Sequence, residues 1–377
     1  MVLSASPTYP HIEKMIPHLL KPWSCKTLSL ENRIVMAPMT RKKSPQGVPG
    51  PDVAAYYRRR AEGGVGLIIT EGATVDRQAA SFDSNIPNIH DPVSIAGWKN
   101  VVSEVHAAGG KIFVQLWHAG SLRPMGSGPN PDARSEGPSA TTEHIDAMSD
   151  EAIADTVESF GRAAATAQQI GFDGVEIHAA HGYLIDQFLW SESNRRTDRY
   201  GGTAQGRTRF ASEIVKAVRA SVGPGYVISL RISQWKLQDY DAKVASNPKE
   251  LEAILTPLAD AGIDILHGSA RRFWDPAFSG SDLSLAGWTR EITGLPSITV
   301  GSVGLEGGDV IGALRGGPDR ATAVSLADVE RRMAMGEFDL VAVGRALLVD
   351  PLWLQKVRDN RLESLSPFDR SALLTLA

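Results

Sequence analysis

The chain has 377 residues, with 39 basic and 43 acidic side chains and a formal net charge of −4, and no long run of like charge. That balance gives no electrostatic footing for a nucleic-acid or membrane-surface role and points to a small-molecule partner. Cys25 is the only cysteine, which excludes an internal disulfide, a cysteine-ligated iron–sulfur cluster and a cysteine-based zinc site. Met1 to Lys21 mixes Pro, His, Glu and Lys and lacks an apolar signal core. No window approaches 18 uninterrupted apolar residues, so a cytoplasmic location is the expectation.

Eight short apolar runs follow along the chain: Arg33 to Met36, Val65 to Thr70, Lys111 to Leu116, Val175 to His178, Val227 to Ile232, Ile263 to Leu266, Ile298 to Val300 and Leu340 to Val343. Between them, Val53 to Glu62, Pro92 to Ala108, Asp150 to Ile170, Arg207 to Val222, Pro248 to Ala261 and Leu326 to Met335 carry helical apolar spacing. Ser149 and Ser325 suit helix starts, and Gly109, Gly171 and Gly262 suit helix ends. Strands alternating with helices imply parallel pairing through right-handed crossovers. Eight units predict an α/β fold, a closed (β/α)8 TIM barrel forming one domain over 1–377. The Pro-, Gly- and Ser-rich excursion over 119–147 is too long for a plain connection and is expected to cap the barrel mouth.

In such a barrel chemistry gathers at the carboxyl ends of the strands. The expected exits present Pro38-Met39-Thr40-Arg41, Glu71-Gly72, Gln115-Leu-Trp117-His118, His178-Ala-Ala-His181-Gly-Tyr183, Arg231, His267-Gly-Ser269, Gly301-Ser302-Val303-Gly304 and Gly344-Arg345. The fourth stands out. Two imidazoles and a phenol in six residues can hold a substrate oxygen and deliver a proton beside it. In a strand Glu176 and His178 share a face, while His181 and Tyr183 are expected in the segment that follows. A single buried histidine is usually a satisfied core residue; three such groups together at one exit weigh against that reading.

The last two exits form a second constellation. Barrels often bind phosphate through the loops after the seventh and eighth strands, where glycine lets the backbone approach an anion and an arginine grips it with a fork of donors. Glycine after a strand is also ordinary turn punctuation, but both positions carry it, with Arg345 attached. Glu71 is the only carboxylate at these exits beyond Glu176 inside its strand, and it reads as structural.

Asn32-Arg-Ile-Val-Met-Ala-Pro-Met-Thr40, Gln115-Leu-Trp-His118, His178-Ala-Ala-His-Gly-Tyr183-Leu and Ser193-Asn-Arg-Arg-Thr-Asp198-Arg-Tyr-Gly-Gly202, in that order, resemble the Old Yellow Enzyme family of flavin-dependent ene-reductases, from about Pro22 to Leu352. The resemblance implies non-covalent FMN at the barrel mouth, reduced by NADPH or NADH and reoxidised by an activated alkene, in a monomer or homodimer with no nucleic-acid or membrane partner. It implies that Ala37, Pro38, Met39 and Thr40 line the flavin, with the Thr40 hydroxyl near its C4 carbonyl. Gly72, where relatives often have alanine, lies under the ring; Gln115 meets the pyrimidine edge; Arg231 sits near N1 and the C2 carbonyl; Ser302, Val303, Gly344 and Arg345 hold the phosphate. The catalytic set it implies is His178 and His181 as donors to the substrate carbonyl or nitro oxygen and Tyr183 as proton donor to the α-carbon, for a trans addition. Trp117, with Phe273 or Trp274, supplies apolar walls for the substrate, and His118 and His267 take no catalytic role.

The chemistry of these groups fits those roles. A guanidinium stays protonated and can balance a reduced flavin, and an amide offers donor and acceptor together. The chain departs from the family pattern after Arg231, reading Ile-Ser-Gln-Trp235-Lys-Leu-Gln-Asp-Tyr240 where many relatives carry proline; that loop leaves the substrate pocket unassigned. Two other classes stay in view: a metal-dependent hydrolase, which would need further ligands at other exits, and a non-catalytic flavin-binding protein, which would not need the histidine pair and tyrosine. No metal is expected.

Overall fold

The computed structural model describes residues 16–307, 320–323 and 326–377. Eight parallel strands close into a barrel in chain order: β1 (Ile34–Met36), β2 (Leu67–Thr74), β3 (Ile112–Trp117), β4 (Gly174–His181), β5 (Val227–Lys236), β6 (Ile265–Ser269), β7 (Ser297–Val300) and β8 (Leu340–Val343), with β8 pairing back onto β1. Helices α1 (Pro51–Glu62), α2 (Pro92–Ala107), α3 (Asp150–Ile170), α4 (Ala204–Val222), α5 (Pro248–Asp260), α6 (Leu285–Thr293) and α7 (Ala327–Ala334) connect them. The Ser149 hydroxyl caps α3 by accepting from the Ala152 N–H, and Gly171 ends it in the left-handed region at φ 108°. Ser325, the expected opening of α7, lies outside the described residues.

The strand period sorts the side chains. Val35, Ala37, Leu67, Ile69, Phe113, Val227, Ile265, Ile298, Val300, Leu340 and Ala342 form one interior cluster, and a hairpin of Trp23–Cys25 and Leu28–Leu30 adds Leu28 and Leu30 to it. Their neighbours Ile34, Met36, Ile68, Ile112 and Val114 join the cluster that the helices pack against. Phe113 fills the interior so closely that a Cβ on Gly174 of the adjacent strand would lie 2.4 Å from its ring.

Above this apolar layer the interior turns polar. The register aligns Gln115, Glu176 and Ser229 across β3, β4 and β5, and His178, Arg231 and His267 across β4, β5 and β6. Four strands run at least three residues further than their apolar runs imply: β2 to Thr74 through a register shift between Ile69 and Gly72, β4 to His181 through one between Ala179 and His181, β5 to Lys236 and β6 to Ser269. His181 is therefore the last residue of β4 and not part of the segment after it, at φ 66°. The helix α6 was not expected; its signals were Ser284, whose side chain accepts from Gly287 N–H, and Gly294 at φ 67°.

The 119–147 excursion contains a one-turn helix at Gly120–Leu122 and a two-stranded ladder of Ser135–Gly137 with Ile145–Ala147. It is fastened to the segment after β2: the Ala119 N–H donates to Ala80 O, and Arg123 Nε donates to Ser81 O. No helix among the described residues is long and apolar enough to cross a membrane.

Candidate active site

Two adjoining cavities open where the strands end. One, of about 470 Å³, is lined by Ala37, Pro38, Met39, Thr40, Ser302, Val303, Gly344 and Arg345 among others. The other, of about 230 Å³, is lined by Gly72, Gln115, Trp117, His178 and His181 among others. Pro38, Thr40, Tyr183, Arg231 and Trp235 belong to both. Every residue expected to hold flavin or substrate lines one of them except Phe273 and Trp274. The Trp274 indole is half-buried against the core and meets Phe273 edge-on with 4.9 Å between centroids, and the Trp274 backbone carbonyl accepts from Arg332 Nη2.

Glu176, fully buried, organises the polar layer. Its Oε1 accepts from Gln115 Nε2 at 2.8 Å, and its Oε2 accepts from the Ser229 hydroxyl at 3.1 Å and pairs with His267 Nδ1 at 2.8 Å. Burial works against its ionisation, but His267, Arg231 and Gln115 outweigh it and hold the carboxyl at about 2. With Nε2 committed to Glu176, Gln115 keeps its carbonyl oxygen for the cavity.

Arg231 is the electrostatic centre. It is 7% exposed, its Nε is buried without a hydrogen-bond partner, and no carboxylate lies within ion-pair distance among the described residues. Burial pulls it down to about 10, with Glu176 and Tyr183 opposing, so it remains a cation at neutral pH. A buried cation with an orphaned donor suits an anionic or electron-rich ligand, which is the fit a flavin would meet here.

The fourth exit places its three groups in contact. Ring centroids of His178 and His181 are 5.1 Å apart, those of His178 and Tyr183 5.0 Å, and Trp117 meets Tyr183 edge-on at 5.2 Å. The Ala180 N–H donates to His178 Nδ1, which leaves the proton of the neutral ring on Nε2. His181 Nε2 lies 2.8 Å from Ser269 Oγ, so a ligand oxygen between the rings takes a donor from His178 and competes with Ser269 for His181. Burial first and Arg231 second push His178 down to about 3 and His181 well below its ordinary value; both are neutral donors. Burial pushes the Tyr183 phenol up to about 12, opposed by Arg231.

At the seventh and eighth exits the Ser302 hydroxyl, on a backbone at φ 51°, donates to Arg271 O at 3.2 Å and accepts from Arg345 Nη2 at 3.1 Å. A Cβ on Gly301 would lie 2.6 Å from Ala270 O, so this turn requires glycine. Gly72 has a local reason too: a Cβ there would stand 3.0 Å from Trp117 Cβ. His118 is buried and turned away from both cavities, accepting the Gly120 N–H at Nδ1 and pairing with Glu136 of the excursion at 2.9 Å. Glu71 Oε2 accepts from the Arg41 and Lys42 N–H groups, fixing the segment after β1.

Sequence reasoning missed Trp235, Tyr240, Arg271, Phe82 and Leu373, all of which line the larger cavity. Trp235 lies over the His181 ring at 4.4 Å and donates from Nε1 to Ser269 O; Arg271 stacks on Tyr240 at 4.0 Å. For Trp235 and Tyr240 the available signal was the aromatic residues in the unusual stretch after Arg231. The 119–147 excursion supplies none of the lining of either cavity. Among the described residues no three of His, Cys, Asp and Glu gather as metal ligands.

Comparison with known proteins gives the frame for this site. Residues 18–312 match the model of the NADH:flavin oxidoreductase / NADH oxidase family. The chain belongs to this family, the Old Yellow Enzyme family. As an Old Yellow Enzyme-type oxidoreductase it is 33% identical over 358 residues to the NADH oxidase of Thermoanaerobacter brockii, covering 92% of the chain but 51% of that protein. The chain thus spans about half the length of that relative. It is 36% identical over 303 residues to 12-oxophytodienoate reductase 2 of Arabidopsis thaliana, covering 72% of the chain and 80% of the relative. Among solved structures, morphinone reductase in complex with tetrahydroNAD superposes with a TM-score of 0.79 at 28% identity, covering 95% of this chain and 94% of the other.

Proposed function

We propose that the protein is an FMN-dependent ene-reductase that takes electrons from NADPH or NADH and reduces the C=C bond of an α,β-unsaturated carbonyl or nitro compound. The observation that carries this reading is the convergence of His178, His181, Tyr183 and Arg231 on two cavities that share Pro38, Thr40, Tyr183, Arg231 and Trp235. FMN held there supplies hydride chemistry.

The chain's own residues do the rest. Ala37, Pro38, Met39 and Thr40 line one side of the flavin, Gly72 leaves room beneath it, and the Gln115 oxygen meets its pyrimidine edge. Arg231 supplies the positive charge that a reduced flavin needs, and Ser302, Val303, Gly344 and Arg345 take the phosphate. His178 and His181, both neutral, donate hydrogen bonds to the substrate carbonyl or nitro oxygen, drawing charge from the double bond and making the β-carbon electrophilic. Tyr183 stays protonated and gives its proton to the α-carbon as negative charge develops there. Trp117 and Trp235 wall the substrate space. The same residues serve one barrel domain across the chain, with a small-molecule partner and a cytoplasmic setting.

Purified protein is expected to be yellow, to bleach anaerobically under NADPH or NADH, and to regain its colour on addition of 2-cyclohexenone. A colourless protein that cannot be reconstituted with FMN overturns the reading.

A further inference from the structure

The end of β5, where the chain leaves the family pattern, supplies one half of a buried ion pair, and the short helix Leu184–Leu189 that follows Tyr183 supplies the other. Lys236 Nζ lies 2.8 Å from Asp186 Oδ1, and both side chains are 0% exposed. Asp186 Oδ2 accepts from the Gly182 N–H at 2.6 Å, and Gln187 Nε2 donates to Gly182 O at 2.7 Å, so both polar groups of Gly182 are anchored. Gly182 is the residue between His181 and Tyr183. Its φ is 84°, following φ 66° at His181, and a Cβ on it would meet the Gln238 side chain at 2.6 Å. Gly182 takes this conformation freely, but His181, a non-glycine residue in the left-handed region, is held there by its surroundings.

Lys236 is itself fixed. Its Nζ also donates to Ser233 O, and its backbone N–H donates to Asp239 O at 2.8 Å. His181 faces Lys236 across the strand ladder and its carbonyl accepts from the Leu237 N–H, but its N–H donates to the Ser233 hydroxyl, its ring pairs with Ser269, and the Trp235 ring covers it, none of these through the Lys236 side chain. The ion pair thus bears on the turn that carries Tyr183 more than on the histidines.

We propose that Asp186 and Lys236 are positioning residues for Tyr183: the buried pair locks the His181-Gly182 turn and so sets where the phenol delivers its proton. This rests on the ene-reductase reading above. Removing one partner strands a buried charge, whereas replacing both with apolar residues of similar size is often tolerated, so the test uses paired substitutions. In Asp186→Leu with Lys236→Met, flavin content, flavin reduction by the nicotinamide and binding of p-hydroxybenzaldehyde are expected within about threefold of the parent, while flavin reoxidation by 2-cyclohexenone falls by about tenfold or more, within the span general-acid catalysis covers. Asp186→Asn with Lys236→Met, which retains an acceptor for Gly182, is expected to lie between and serves as the decisive variant if the first does not fold.

In a Tyr183→Phe background the paired substitution is expected to slow reoxidation no further, because the two changes act on one group. Reoxidation within twofold of the parent overturns the proposal, as does a parallel fall in reduction, phenol binding and reoxidation, or full additivity with Tyr183→Phe. If neither variant binds flavin, the pair serves folding alone and the proposal falls. If the unsubstituted protein is not reoxidised by 2-cyclohexenone, it is the ene-reductase reading that fails.

Discussion

At the scale of single residues, Arg231 holds the site together through charge rather than contact. A buried guanidinium with an orphaned Nε suits an anionic or electron-rich ligand, and hydrogen bonds to charged groups contribute about 1.5–3 kcal/mol each. Arg231→Met is therefore expected to weaken FMN binding by roughly 10- to 100-fold, read by titrating the apoprotein and following flavin fluorescence; unchanged affinity would remove Arg231 from the flavin's environment. Trp235 acts on His181. Ring contacts of this kind contribute about 0.5–1.5 kcal/mol beyond their buried area, so Trp235→Ala should weaken p-hydroxybenzaldehyde binding by about two- to tenfold and leave flavin content unchanged. The sequence exposed these residues unequally. His178, His181 and Tyr183 fall within one six-residue motif and were legible, as was Arg231. Trp235 at the end of β5 and Tyr240 just after it meet Arg271, which follows β6, only once the barrel closes, and Trp235 rather than Trp274 lines the cavities.

At the scale of elements, the strands' apolar halves were legible and their polar ends were not. Val175 to His178 reads as strand because it is β-branched and apolar; Ala179 to His181 continues β4 past a register shift, and no hydrophobic pattern records that. The helix α6, of nine residues, shows few apolar positions between its serine cap and its glycine end. Packing inside the barrel makes its own demand on β4. Gly174→Ala would drive a methyl group into Phe113, and overpacking of a filled interior costs about 1–3 kcal/mol. The expected outcome is a lower melting temperature with the flavin spectrum retained; a variant as stable as the parent would mean that the Phe113 ring has room to move.

At the scale of the whole molecule, the barrel's polar interior makes stability depend on pH in two opposed ways. His178, His181 and His267 are held below their ordinary pKa, burial being the largest cause in each, so the folded form resists protonation while the unfolded chain accepts it near 6.5. Their contribution is complete above about 6.5 and is lost as pH falls below it, at up to about 1.4 kcal/mol per pH unit for each histidine. Glu71 runs the other way: burial raises it to about 7, so the folded form takes up its proton first and gains stability as pH falls through that value. Urea midpoints should therefore drop between pH 6.5 and 5. The drop should be steeper in Glu71→Gln, which keeps an acceptor for the Arg41 and Lys42 N–H groups, and shallower in His178→Gln. A midpoint that rises on acidification would contradict neutral histidines.

The barrel, the family and the polar ring at its mouth all lead to one chemical claim, that Tyr183 protonates an alkene whose oxygen His178 and His181 hold. The most direct test is to follow both half-reactions of Tyr183→Phe anaerobically by stopped-flow absorbance. Flavin reduction by the nicotinamide should stay within about threefold of the parent, and reoxidation by 2-cyclohexenone should slow by about 10²-fold or more, the usual contribution of a general acid. Equal loss of both half-reactions, or reoxidation at the parent rate, would contradict the account.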